Sequence, residues 1–302
     1  MAMPEEGMRE IRRRLNSVST TVAITRAMKT VASIKLQKIR PSIGPARRYY
    51  QAYQEVWLDA GDEARAEALR TSADPAGAGP WPHVVFVLFS SDRGLAGSYN
   101  ADVARRAFDA ASAPGDAGLV VLGRKGRDAV LARGLKPLKS LPWPDKPDAS
   151  LARHIGRMLV DAWHFSGARS FLVYTTFHSA FHRQVVAVPC VPPGRPEQVR
   201  RSDVLDEGTL RENRTEAPRE QPALWEPSAG EVARSLLPHL AASHVYLAMT
   251  ESRASELAAR VSAMDSASTK AEDLLEELER RYNRLRRERI TRELVEAAGR
   301  EG

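Results

Sequence analysis

Two stretches of this chain set charged and small residues where chemistry is conceivable. The first, SSDRGLAGSYNAD (90–102), follows an apolar run and reads as the turn leaving the carboxyl end of a strand, where α/β proteins often bind ligands. Asp92 is placed to act as a base or to pair with Arg93. Gly94 and Gly97 shape a tight turn around Leu95, and Asn100 fits the cap of the next helix. Turn geometry plus capping explains the same residues without any reaction. The second, GLVVLGRKGRDAVLARG (118–134), reads as strand, loop and helix. Gly123 and Gly126 permit close backbone approach, and Arg124 and Lys125 would meet an anion at a helix N-terminus. The spacing is neither a Walker loop nor a full dinucleotide fingerprint. A plain strand-to-helix turn is the simpler reading.

Other reactive side chains are sparse. His178 and His182 offer two metal ligands with no third in sequence nearby, and a hairpin turn accounts for both. Cys190 has no His or Asp companion and reads as packed; as the single cysteine it excludes an intrachain disulfide and fits a reducing compartment. No G-x-S-x-G elbow occurs. The longest apolar run, Val84 to Phe89, is far short of the roughly twenty residues that span a bilayer, and no secretory leader pattern opens the sequence.

The elements that would position these residues are an α/β middle between two long helices. HVVFVLF (83–89), GLVVLG (118–123), SFLVYTTF (170–177) and QVVAVPC (184–190) read as strands. Helical stretches at about 100–113, 126–134 and 149–166 provide the crossovers of a mostly parallel, doubly wound sheet. Residues 178–183 turn a hairpin that adds an antiparallel edge strand. This gives a Rossmann-like domain over 80–191, then a proline- and charge-rich linker over 192–222.

The ends carry heptads. Ile11, Leu15, Val18, Val22, Thr25, Lys29, Ala32, Leu36 and Ile39 form a four-three seam, so 5–70 is expected to be helical, with a break near 41–45 at Pro41 and Pro45 and helix resuming from Ala46. Leu257, Val261, Met264, Ser268, Ala271, Leu275, Leu278, Tyr282 and Leu285 form a second seam, fading into Ile290 and Leu294, within a helix over 223–300 that starts at a Ser228/Glu231 capping box. From Glu251 to Arg300 there is no proline and one glycine, Gly299, enough for about 75 Å of helix. Two such helices at opposite ends of a chain can pair antiparallel. The net charge of +7 is concentrated in the first helix, where Arg9 to Arg40 supplies nine cations against Glu10. A basic helix suits nucleic acid, anionic lipid or an acidic protein partner, and charge does not choose among them. Seven arginines between Arg280 and Arg292 crowd the other end.

The first helix, MREIRRRLNSVSTTVAITRAMKTVASIKLQK, resembles the start of the gamma subunit of rotary F-type ATP synthases. SSDRGLAGSYN is similar to that family's SDRGL-x-G-x-x-N turn. LLPHLAASHVYLAMTESRASELAARVSAMDSAS and YNRLRRERITRELVEAAG are similar to its C-terminal helix. The four motifs are collinear and cover most of the chain outside 192–222. The resemblance implies a non-catalytic central-stalk rotor without cofactors. It would be one copy per complex, peripheral on the cytoplasmic face of the membrane, partnered by the alpha/beta hexamer, the epsilon subunit and the membrane c-ring, and binding no nucleic acid.

On that pattern Ile24, Thr25, Arg26, Met28 and Lys29 would meet the lower lever region of a beta subunit. Ser255, Glu256, Arg260 and Met264 would occupy matching positions on the long helix, with Arg260 facing a beta loop. Ile290, Thr291, Arg292, Glu293 and Leu294 would sit in the upper bearing. Lys270 and Arg292 depart from the family's usual Asn and Gln, and Glu288 and Arg289 stand where smaller residues are common. Ala96 stands where Cys is frequent, and Pro41 and Pro45 interrupt a helix the family continues. The competing reading is a Rossmann-type nucleotide-binding enzyme, using the loops at Asp92 and Gly123 and dimerising through its helices. A third is a basic scaffold on nucleic acid or anionic lipid.

Overall fold

The computed structural model describes residues 3–70, 81–112, 116–179, 182–193 and 224–298. Apart from residues 192 and 193, the expected linker lies outside the described residues, as do Gly299 and Arg300. In order the elements are α1 (Met3–Ile39), a 3-10 turn (Arg40–Ser42), α2 (Ile43–Asp59), α3 (Asp62–Ala68), β1 (Val84–Phe89), α4 (Tyr99–Ser112), β2 (Ala117–Leu122), α5 (Arg124–Ala132), β3 (Lys139–Leu141), α6 (Ala149–Ser166), β4 (Arg169–Phe177), β5 (Arg183–Val191) and α7 (Ala229–Ala298). No helix among the described residues is long and apolar enough to cross a membrane.

The chain divides into two compact units, one of Met1–Ile34 with Arg260–Gly302 and one of Lys35–Ala259. The larger holds a five-stranded sheet in the order β3-β2-β1-β4-β5, parallel except for β5, which pairs antiparallel with β4. Its strands are apolar on both faces because both are covered. Phe86, Leu88, Leu119 and Val121 pack against α4 and α5. Val85, Val87, Phe89, Val120 and Leu122 face a second core built from α2, α6 and residues 233–249 of α7. Gly156 lets α6 approach α7 closely, since a Cβ there would lie 2.6 Å from Ala242 N.

The expected strands form within a residue or two of their reading, and α6 spans Ala149–Ser166. Asp148 caps α6 by accepting from the Ser150 and Leu151 amides, and left-handed Gly167 ends it. The Ser228 hydroxyl accepts from the Glu231 amide at the start of α7. Three features differ from the sequence reading. β3, three residues long, carries too little pattern to announce itself. The helix after Ser42 does not run through to Arg70: it stops at Asp59, Gly61 turns with φ 85°, and α3 is a separate helix. Asn100 lies inside the first turn of α4 and does not cap it; its Oδ1 accepts from the Ser91 amide and hydroxyl, both at 3.0 Å. Pro41 sits in the 3-10 turn and Pro45 in the first turn of α2, where a missing N–H leaves no gap in the ladder.

Candidate functional site

In the smaller unit α1 and α7 run antiparallel, as two ion pairs show. Arg26 donates through Nη2 to Glu272 Oε1 at 3.0 Å, and Lys29 Nζ meets Asp265 Oδ1 at 2.5 Å. Moving forward from Arg26 to Lys29 moves backward along α7 from Glu272 to Asp265, and only opposed helices do this. The heptad seams lie inward. Ile11, Val22, Thr25, Ala32, Met264, Ser268 and Leu278 are buried, and Leu15, Val18, Lys29, Val261, Ala271, Leu275, Tyr282 and Leu285 are half-buried. Thr25 is tolerated in the seam because its hydroxyl bonds back to the carbonyls of Thr21 and Val22 at 3.0 Å. The Ser268 hydroxyl likewise bonds to Glu272 at 2.8 Å.

The residues singled out on α1 therefore split. Thr25 belongs to the seam, Met28 is half-buried, and Ile24 stands 54 % exposed with Arg26 and Lys29 at the surface of the pair. At the far end Ile290 and Leu294 are 45 % and 65 % exposed. Thr291 bonds back to the Arg287 carbonyl, and Glu293 pairs with Arg289 at 2.6 Å. Arg292 is exposed. The seam has ended by then, which leaves an apolar and arginine-rich tip.

Ser255 and Glu256 lie elsewhere, in the sheet-bearing unit, and are spent inside it. The Ser255 hydroxyl bonds to the carbonyls of Thr175 and Thr176 at 3.3 and 3.1 Å, pinning α7 to the carboxyl end of β4. Glu256, 1 % exposed, accepts from Trp143 Nε1 at 3.0 Å and from Arg253 at 2.6 Å. Both side chains are buried, and their polar atoms help to hold the fold of this unit. Arg260 and Met264 are also buried, at 9 % and 4 % exposure. One turn before Ser255, Glu251 accepts from Arg47 at 2.6 Å, while Arg47 also reaches the Phe177 carbonyl at 2.7 Å. Burial raises the Glu251 carboxyl above its ordinary range despite the attraction of Arg47. Sequence reading passed over Arg47, Trp143 and Glu251, since single polar residues in helical patterns carry no signal of burial.

The loops considered for catalysis are closed by the chain itself. At the start of α5 the three leading amides are all taken: Arg124 N–H donates to Asp92 Oδ1 at 2.8 Å, Lys125 N–H to the Ser91 carbonyl at 2.9 Å, and Gly126 N–H to Ser90 Oγ at 2.9 Å. A Cβ on Gly123 would lie 2.5 Å from the Ser90 carbonyl, and one on Gly126 would lie 2.4 Å from Ser90 Oγ. The two glycines thus admit Ser90, in the place where a phosphate would have to sit. Asp92 is bound to α5 rather than to Arg93, whose carbonyl accepts from the Ser91 hydroxyl at 2.7 Å. Gly94 lies near the Lys125 side chain, and Gly97 is left-handed with φ 57°. Leu95 is also left-handed, with φ 61°, and is 61 % exposed. On the β4 side of the sheet's switch point, between β1 and β4, the carbonyls of Thr175 and Thr176 are taken by Ser255 of α7. Cys190 is buried, with its thiol pushed up to about 12 by desolvation. His178 and His182 face each other at the hairpin, ring centres 5.3 Å apart. Among the described residues no set of three His, Cys, Asp or Glu side chains is grouped to hold a metal.

The family model described as ATP synthase matches residues 7–299. The chain is 34 % identical over 303 residues to the ATP synthase gamma chain of Halothermothrix orenii, covering 97 % of this chain and 98 % of that one. It is 34 % identical over 295 residues to the gamma chain of Moorella thermoacetica, covering 96 % of each. Among solved structures it is similar in fold to a chain of the Euglena gracilis mitochondrial ATP synthase, described as OSCP/F1/c-ring, with TM-score 0.63 and 18 % identity over 98 % of this chain and 94 % of that one. A chain of the Tetrahymena thermophila mitochondrial ATP synthase central stalk and c-ring gives TM-score 0.58 and 22 % identity over 81 % and 99 %. Helix pair, closed SDRGL turn and sheet order occur here in one chain that matches these relatives nearly end to end: it belongs to the ATP synthase gamma-chain family.

Proposed function

We propose that this chain is the central-stalk rotor of an F-type ATP synthase. It couples ion flow through a membrane c-ring to ATP synthesis or hydrolysis in an alpha/beta hexamer and catalyses no reaction of its own. The observation that carries the reading is the antiparallel register fixed by Arg26–Glu272 and Lys29–Asp265, with an apolar seam inside and a different set of side chains on each outer face. A paired helix resists bending and twisting better than a single one, so it can carry torque between sites too far apart to touch. Because its outer faces differ, each of three identical catalytic subunits meets a different surface and is biased toward a different state.

On this reading Ile24, Arg26, Met28 and Lys29 meet a beta subunit along the pair, with Arg260 close by on the long helix. Ile290, Thr291, Arg292, Glu293 and Leu294 turn within the hexamer's upper bearing. Thr25 and Met264 serve the partner surface only indirectly, by holding the seam. The sheet-bearing unit engages the epsilon subunit and the c-ring, and the chain sits once per complex, peripheral on the cytoplasmic face of the membrane. The chain's own occupation of the loop at Gly123 by Ser90, and of the β4 carbonyls beside the switch point by Ser255, speaks against the nucleotide-binding alternative. Tagging the chain and extracting native membranes gently tests the assignment. Alpha and beta subunits near three copies each per tagged chain, with ATPase activity, are expected. Recovery of the chain alone from the soluble fraction with bound nucleotide overturns it.

A further inference from the structure

Within the sheet-bearing unit, the last turn of α1, the loop leading to α6 and one face of α7 enclose a cleft of about 420 Å³. Its charged lining is lopsided. Lys35, Lys38, Lys146 and Arg253 bring four cations to it, and Asp145 one carboxylate. Lys38 and Lys146 are exposed and form no ion pair among the described residues. Arg253 lies at the floor, its side chain 9 % exposed. It donates to Glu256 at 2.6 Å and to Asp145 at 3.0 Å, and its buried Nε has no acceptor. With five N–H donors and a buried Nε left without an acceptor, the guanidinium is under-satisfied, which is costly at a buried site.

Asp145 is the opposite kind of residue. Its side chain is 80 % exposed on a loop, touching Arg253 at 3.0 Å and Lys35 Nζ at 3.5 Å. Lys35 foremost, then Arg253 and more weakly Arg93, hold its carboxyl below the usual carboxylate range. A loosely tethered carboxylate, drawn by three cations over an under-satisfied guanidinium, occupies the position of a displaceable oxyanion.

We propose that this cleft binds a small oxyanion of the phosphate class. Arg253 and Lys35 take the oxygens that Asp145 now imitates, and Lys38 and Lys146 balance the remaining charge. Concavity selects a small ion over an extended acidic surface: the volume is that of a small-molecule pocket, and only a thin group reaches a floor so little exposed. Planar donors from arginine with point charges from lysine are the usual means of holding such an ion.

The test is calorimetric titration of the full chain with inorganic pyrophosphate, at low ionic strength in a sulfonate buffer. The wild type is compared with Asp145→Asn and with the double variant Lys38→Ala/Lys146→Ala. All three changed side chains are exposed, so the fold is retained, as unchanged circular dichroism will register. One saturable site is expected. It should tighten about tenfold in D145N, which removes the competing charge, and weaken about tenfold or more in the lysine double variant. Absence of saturable binding in the wild type overturns the proposal. So does an affinity indifferent to both changes, which would place the ion instead on the arginines of the α7 tip.

Discussion

Lys29 on α1 and Asp265 on α7 lie 2.5 Å apart across the helix pair, with the lysine and aspartate side chains 42 % and 59 % exposed. The contact fixes register more than it adds stability, because water screens both charges and two long side chains lose freedom to meet. The energy of the pair lies in the seam beneath, where Val22 and Met264 are 8 % and 4 % exposed.

Lys29→Ala is accordingly expected to lower stability by less than about 1 kcal/mol. Met264→Ala, which leaves a cavity in the seam, is expected to cost about 2 kcal/mol or more. Urea denaturation followed by helical circular dichroism measures both. A larger loss in the lysine variant than in the methionine variant would contradict this account of the pair.

The closed loop at α5 predicts coupling between Gly126 and Ser90. Gly126→Ala drives a Cβ to within 2.4 Å of Ser90 Oγ and 2.8 Å of Ser90 Cβ, and is expected to cost about 1–3 kcal/mol as local overpacking. In a Ser90→Gly background the two closest obstructions are gone and only Val121 Cγ1 at 3.1 Å remains tight, so the same change should cost markedly less. A double-mutant cycle by chemical denaturation gives the interaction term directly. Additive costs would show that Ser90 is not what the glycine admits.

His244 gives stability a definite dependence on pH. It is 5 % exposed, stacks on Tyr50 with ring centres 4.4 Å apart and meets Tyr174 edge-on at 6.4 Å. Burial lowers its pKa from 6.5 to about 3. The folded state therefore holds the imidazole neutral while the unfolded chain takes up a proton below 6.5. This contribution is intact above pH 6.5 and is lost progressively as pH falls from 6.5 towards about 3, at up to about 1.4 kcal/mol per pH unit. Both facing tyrosines stay uncharged across that range, their hydroxyls shifted upward by burial. His244→Phe keeps a flat ring and removes the proton site. The stability difference between wild type and variant should shift in the variant's favour on acidification from pH 7 to pH 5, read as urea midpoints. A difference that stays constant would mean that the folded protein takes up the proton as readily as the unfolded chain does.

Much of this architecture was legible in the sequence because periodicity reports burial. Every α1 and α7 seam position from Ile11 to Ile39 and from Leu257 to Leu285 is buried or half-buried, and the long strands repeat the apolar runs closely. What escaped reading was polar and three-dimensional. Ser90 closing on Gly126, Trp143 meeting Glu256, and Arg47 pairing with Glu251 across 204 positions leave no local pattern. The spacing of Gly123 and Gly126 did show that something comes close; it could not show that the visitor is the chain's own serine. Asn100 misled for a related reason. A side chain at a helix start caps only if its own amide lies outside the helix, and here the loop's amide and hydroxyl claimed it first.

The tip of α7 carries the prediction that bears most directly on rotation. Ile290 and Leu294 are 45 % and 65 % exposed, beyond the last seam residue, among arginines. Large apolar side chains beyond the end of a seam contribute little to the isolated fold, so Ile290→Asp with Leu294→Asp should change its denaturation midpoint negligibly, within about 0.5 kcal/mol. If the tip turns inside a bearing, each side chain is buried there, and removing its apolar surface forfeits about 1.5–3 kcal/mol. Assembly with alpha and beta subunits should then weaken by about tenfold or more per substitution. Titrating the double variant against a fixed amount of the catalytic subunits, with ATPase activity as the readout, separates the outcomes. A right-shifted titration with normal activity at saturation places the tip in an assembly contact. Unchanged assembly with activity lost at saturation contradicts burial of the tip in the complex and leaves it a role in turnover alone. A wild-type curve in both respects removes Ile290 and Leu294 from the partner surface.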